Sequence, residues 1–98
     1  GLEDPKNQPT TLAGISVYPN PANGRVFLGV PQDQSTEGFA WKLIDQRGVT
    51  VKSGDFTDLV NNAREIPVSD LASGMYIVQL TGPGGSVVHR KLVVMNRN

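Results

Sequence analysis

An all-β domain is what this sequence predicts, and three observations predict it. Short apolar strings alternate with polar residues at period two, turns bearing Gly or Pro separate them, and no stretch repeats apolar residues at helical spacing over three turns. The 98 residues suffice for one domain with a modest two-layer core and are too few for a second.

Residues 1–14 include Asp4, Pro5, Asn7, Gln8, Pro9, Thr10, Thr11 and Gly14, carry little hydrophobicity, and read as an extended, flexible linker, with Gly1 a candidate remnant of expression. The folded domain is expected over residues 15–98. Strands are expected at Ile15 to Tyr18, Arg25 to Val30, Phe39 to Asp45, Val49 to Asp55, Ala63 to Val68, Met75 to Thr81 and Val87 to Met95, seven in all. In the second, Val26, Leu28 and Val30 share one face. In the third, Phe39, Trp41 and Leu43 should point to the core while Lys42 faces water. The sixth should turn Tyr76, Val78 and Leu80 inward and leave Ile77 partly exposed. Asp45-Gln46-Arg47-Gly48 has the length and terminal glycine of a hairpin loop built on a type I turn, so strands three and four should pair. Gly82-Pro83-Gly84-Gly85 should join strands six and seven in the same way. Seven short strands, a Trp on the third and a Tyr at the start of the sixth predict a seven-stranded antiparallel immunoglobulin-like β-sandwich without a disulfide. Crossed sheets or a partly open barrel are the alternatives.

Three motifs stand out. Pro19 and Pro21 bracket Asn20, and their fixed φ and missing donors should end the first strand abruptly, after which Asn23-Gly24 reverses the chain. Leu71, Gly74 and Tyr76 read as a tyrosine corner, in which a buried ring packs under a loop and its hydroxyl bonds to backbone a few residues upstream. In the last strand, inward Leu92 and Val94 would leave Lys91, Val93 and Met95 outside, a surface both apolar and cationic. That surface reads equally as a docking site and as an edge strand whose charge discourages aggregation.

Catalysis and cofactors find little support. Without cysteine there is no disulfide framework, thiolate metal site or Cys nucleophile. His89 is the only histidine, and Arg90 and Lys91 beside it would repel a metal ion. Asp45, Asp55, Asp58 and Asp70 lack the spacing of a calcium loop. Ser35, Ser53, Ser69, Ser73 and Ser86 lack both a base in recognisable context and a nucleophile elbow. The expectation is a non-enzyme with no cofactor. Nine basic and nine acidic residues give zero net charge with no cationic run, which argues against nucleic acid. No run approaches the roughly 20 apolar residues that span a bilayer, so the chain is not expected to cross a membrane itself.

Taken in order, Pro19-Asn20-Pro21 with Gly24, Leu71 with Gly74 and Tyr76, and Lys91-Leu92-Val93-Val94 near the carboxyl end, with Asp45 and Gly48 between, resemble the type A C-terminal sorting domain of cargo exported by the type IX, or Por, secretion system of Bacteroidetes-type bacteria. The resemblance covers about Ile15 to Met95. It implies a seven-stranded immunoglobulin-like sandwich that directs a folded cargo from the periplasm across the outer membrane to the cell surface or beyond. The implied partners are outer-membrane translocon and shuttle proteins, and a sortase-like cysteine peptidase that removes the domain by cleavage between Leu2 and Gly14. An exported parent also needs a leader upstream of this segment. A rival reading is an accessory carbohydrate- or surface-binding module using Phe27, Tyr18 or Phe56 as an aromatic platform. A third is a structural spacer or oligomerisation module, for which the solution mass and the exposure of Ile77 and Val93 are the tests.

Overall fold

A computed structural model describes residues 12–32 and 34–96, so most of the expected linker and its cleavage segment lie outside the described residues. The period-two strings form seven strands: β1 Ser16–Asn23, β2 Arg25–Gly29, β3 Ala40–Ile44, β4 Thr50–Asp55, β5 Ala63–Pro67, β6 Gly74–Thr81 and β7 Val87–Val94. Six of them start and stop within about two residues of where alternation and turn chemistry put them.

Two sheets face each other. β1, β2 and β5 make one, and β4, β3, β6 and β7 make the other, in antiparallel ladders. The strand order is that of an immunoglobulin-type sandwich, with Trp41 on the third strand and Tyr76 near the start of the sixth. One contact joins the sheets edge to edge: β1 crosses from the first to the second, where Ala22 pairs with Val94 of β7 in parallel orientation. Hydrogen bonding therefore runs continuously in the order β4-β3-β6-β7-β1-β2-β5, and its free ends are β4 and β5.

Alternation fixes what each strand buries. Val26 and Leu28 of β2, Leu43 of β3, Val78 and Leu80 of β6, and Leu92 and Val94 of β7 are all 0% exposed. Each aliphatic side chain removed from water in this way contributes about 1.5–3 kcal/mol. Lys42 faces water and Ile77 is half-buried, as the pattern requires. Both expected hairpins form. Gly48 takes φ 85° and its amide bonds Asp45 O at 3.0 Å, while Gly82 N reaches Ser86 O at 2.9 Å across the turn from β6 to β7. Phe56 differs from expectation. It is 4% exposed and meets Phe39 edge-on at 6.2 Å, so it is a core residue and supplies no surface platform. Leu12–Gly14, within the stretch expected as linker, form one turn of 3-10 helix whose Leu12 is buried, and Arg90 Nη2 donates to Ala13 O at 2.8 Å.

The alternating strand directions give the sandwich two distinct ends. β1, β3, β5 and β7 finish at one end, where β2, β4 and β6 begin, and the chain arrives from Leu12 at the other.

Candidate functional site: the motif end of the sandwich

All three sequence motifs meet at the end remote from Leu12. The expectation that Pro19 and Pro21 stop the first strand is corrected: β1 runs on to Asn23. After Tyr18 pairs with Phe27 the register breaks, and Pro19 to Ala22 face only Val26 before Asn23 pairs with Arg25. The two prolines donate no ladder bonds, so this segment leaves β2 without stranding amides, and it swings out to β7.

Asn20 makes that crossing stick. Its Nδ2 donates to Lys91 O at 3.0 Å, and its Oδ1 accepts from Val93 N at 3.0 Å. A side-chain amide thus bonds β7 as a neighbouring strand's peptide would. Two residues on, the Met95 amide donates to Ala22 O at 2.8 Å. The outer edge of β7 is closed from Lys91 to Met95, so this strand is no free edge there.

A second amide, which sequence reasoning missed, ties the motifs together. Asn96 Nδ2 donates to Val68 O at 2.8 Å and to Leu71 O at 2.7 Å, and its Oδ1 accepts from Gly24 N at 3.0 Å. Its backbone exchanges bonds with Ser73 Oγ, donating at 2.8 Å and accepting at 3.2 Å. One asparagine therefore joins the Gly24 turn, the loop before β6 and the carboxyl end. Gly24, at φ 85°, makes the one-residue reversal between β1 and β2 and turns its amide to this hub.

The tyrosine corner is present in full. Tyr76 is 7% exposed and its hydroxyl donates to Ala72 O at 2.6 Å, while Leu71 packs half-buried against the core. Gly74 opens β6 opposite Val94. The β3–β4 turn sits beside it. Asp45 Oδ1 accepts from the amides of Arg47 at 2.9 Å and Val49 at 3.0 Å, and Arg47 Nη2 reaches Asp45 Oδ2 at 2.9 Å. The Arg47 side chain, then the Val49 amide, hold the Asp45 carboxyl below its ordinary pKa. Lys52 lies 3.0 Å from Asp70 and lowers that carboxyl likewise. A cleft of about 430 Å³ runs between this turn and the loop before β6, lined by Gln46, Asp70, Ser73 and Met75 among others.

The last strand points as expected: Leu92 and Val94 are buried, Val93 is half-buried, and Lys91 and Met95 are exposed. Cross-strand register widens this into a face. Val93 lies opposite Met75, and Lys91 lies opposite Ile77, which in turn lies opposite Ile44. Met75 is 43% and Met95 57% exposed, so an apolar strip flanked by Lys91 and Lys42 adjoins the hydrogen-bonded end. Of the eleven motif residues, Pro19, Asn20, Pro21 and Lys91 are exposed, Tyr76, Leu92 and Val94 build the core, Leu71 packs against it, Val93 is half-buried on the outer face, and Gly24 and Gly74 shape the backbone.

A rigid sandwich whose polar residues are engaged in holding backbone defines a class: a module that displays a shaped end. Among the described residues, no helix is long and apolar enough to cross a membrane. The model of the secretion system C-terminal sorting domain matches residues 16–95, and the chain belongs to this family, the sorting domains of type IX secretion. No curated protein matched the chain.

Proposed function

We propose that this domain is a non-catalytic address that carries a fused cargo through the periplasm and the type IX system to the cell surface or the medium, presenting its motif end to translocon and shuttle proteins. The carrying observation is the convergence of all three motifs on Asn20 and Asn96 at the end opposite Leu12. A cargo joined ahead of Leu12 leaves that end unobstructed. The contact surface is the exposed strip of Met75, Val93 and Met95 with Lys91, together with the Pro19–Pro21 crossing. Strand addition along Lys91 to Met95 is not the mode of contact, because β1 already occupies that edge. A sortase-like cysteine peptidase then cuts ahead of β1, between Leu2 and Gly14, and releases the address from the cargo.

The test is a folded periplasmic reporter fused ahead of this chain in a bacterium with a type IX system. The fusion should appear outside the cell, and deleting the residues after Arg90 should hold it in the periplasm with the reporter still folded. Normal surface delivery of the truncated fusion would contradict the proposal.

A further inference from the structure

The outer face of the three-stranded sheet carries a feature that the sorting motifs leave unused. Tyr18 of β1 and Phe27 of β2 are directly opposed, and their rings stack at 5.6 Å with 22° between planes. The Tyr18 ring lies down across Gly29, where a Cβ would come within 2.8 Å of its Cε1. Glycine at this strand position leaves room for the ring to lie against the sheet, and Tyr18 remains 45% exposed.

Polar groups surround this platform. The rings floor a cleft of about 580 Å³, a size typical of small-ligand sites, lined also by Asp58, Asn61, Arg64 and Glu65. Its wall is a tight turn closed by Val60 and Ala63, which exchange two bonds of 3.0 Å, with Asn61 at φ 52° and Asn62 at φ 60°. Asp58 is also left-handed, at φ 58°. Asn61 and Asn62 are the central pair of a two-residue hairpin turn, which requires positive φ at both, a conformation that Asn and Asp adopt more readily than other side chains. Arg64 Nη1 donates to Thr57 O at 3.2 Å, while its Nε is buried and has no partner among the described residues. Glu65, opposite Phe27, lies 3.7 Å from Arg25.

The charges are mixed: Glu65 is set against Arg25 and Arg64 against Asp55, with Asp58 beside them, so no excess of positive charge draws an anion, and among the described residues no group of three carboxylates or imidazoles could hold a metal ion. What remains is a flat aromatic floor rimmed by carboxylate, amide and guanidinium groups, which accept from and donate to hydroxyls. A pyranose ring presents that combination, an apolar C–H face to lie on the rings and an equatorial belt of hydroxyls for the rim. We infer that this cleft binds a neutral oligosaccharide. It lies on the sheet opposite the Met75 and Val93 strip, so the inference does not rest on the sorting role.

The experiment is an amide NMR titration of the ¹⁵N-labelled domain with maltotriose, cellotriose, mannotriose and chitotriose up to about 10 mM, a range that captures Kd values near 1 mM. At least one should give saturating shifts at Phe27, Asn61 and Glu65. Tyr18→Ala should weaken binding about tenfold. Glu65→Ala, at an exposed position whose loss leaves the fold intact, should weaken it severalfold, and Met75→Ala on the opposite sheet should not change it. Saturating shifts that survive both cleft substitutions, no saturation with any of the four sugars, or shifts confined to the other sheet would overturn the inference.

Discussion

The two ends of this sandwich use side-chain hydrogen bonds and ring packing in different proportion. At the motif end, side-chain amides and hydroxyls close onto distant backbone: Asn20 on β7, Asn96 on the Gly24 turn and the loop before β6, Tyr76 on Ala72. Toward the end where the chain arrives from Leu12 such bonds also occur, Trp41 Nε1 donating to Asp55 O at 3.0 Å and Arg90 Nη2 to Ala13 O at 2.8 Å, and there aromatic rings lie against glycines as well. Trp41 covers Gly54, where a Cβ would fall 2.7 Å from its Cζ2, and Phe39 and Leu12 flank Gly82. Hydrogen bonds are directional and fix one arrangement, whereas packing of rings on glycine fixes volume and tolerates some sliding.

Substitutions separate the two. Asn96→Ala removes three side-chain hydrogen bonds at once and leaves Val68 O and Leu71 O short of partners, so it should lower unfolding stability by roughly 2–4 kcal/mol in urea or thermal melts. Gly54→Ala forces the Trp41 ring to move and should cost about 1–3 kcal/mol, with a changed Trp fluorescence spectrum that Asn96→Ala does not produce. Asn20→Ala and Tyr76→Phe each leave the core volume nearly intact and should cost about 1 kcal/mol. In the first, amide exchange at Val93 should accelerate; an unchanged rate there would mean that Asn20 does not hold β1 to β7.

The smallest effect is on pH dependence. Asp45, Asp55 and Asp70 all have lowered pKa values, caused first by Arg47, Thr57 and Lys52 respectively. A carboxyl that is more acidic in the native state contributes stability above its unfolded pKa, about 3.9, and loses it as pH falls through the native value. The melting temperature should therefore drop progressively below about pH 4, and Asp45→Asn should flatten part of that drop. A melting temperature indifferent to acid would show that these carboxylates do not contribute.

Most of the fold was legible because its signals are local. Alternation around Trp41 and Tyr76, and the glycines at 48, 82, 84 and 85, report on neighbours a few residues away, and the strands and hairpins follow. Tyr76 was legible for the same reason, since its partner Ala72 is four residues upstream. The motif end was not. Asn20 reaches 71 and 73 residues along the chain, and the Asn96 side chain reaches 72 residues back to Gly24. Locally, each asparagine has the ordinary reading of a turn or a strand terminus. Pro19 and Pro21 misled in a related way: read locally they end a strand, whereas in the fold they release it from one sheet to reach another. Phe56 looked free because it follows β4 beyond the alternating pattern, and only the packing against Phe39 buries it.

If the sorting machinery reads the assembled motif end, a domain with that end disturbed should fail in export even while it remains folded. The most direct measurement compares export of one reporter fused to the Asn96→Ala domain and to the Gly54→Ala domain, at a temperature where melts show both domains folded. Asn96→Ala should retain the reporter in the periplasm while Gly54→Ala delivers it to the surface. Equal delivery of the two would contradict it.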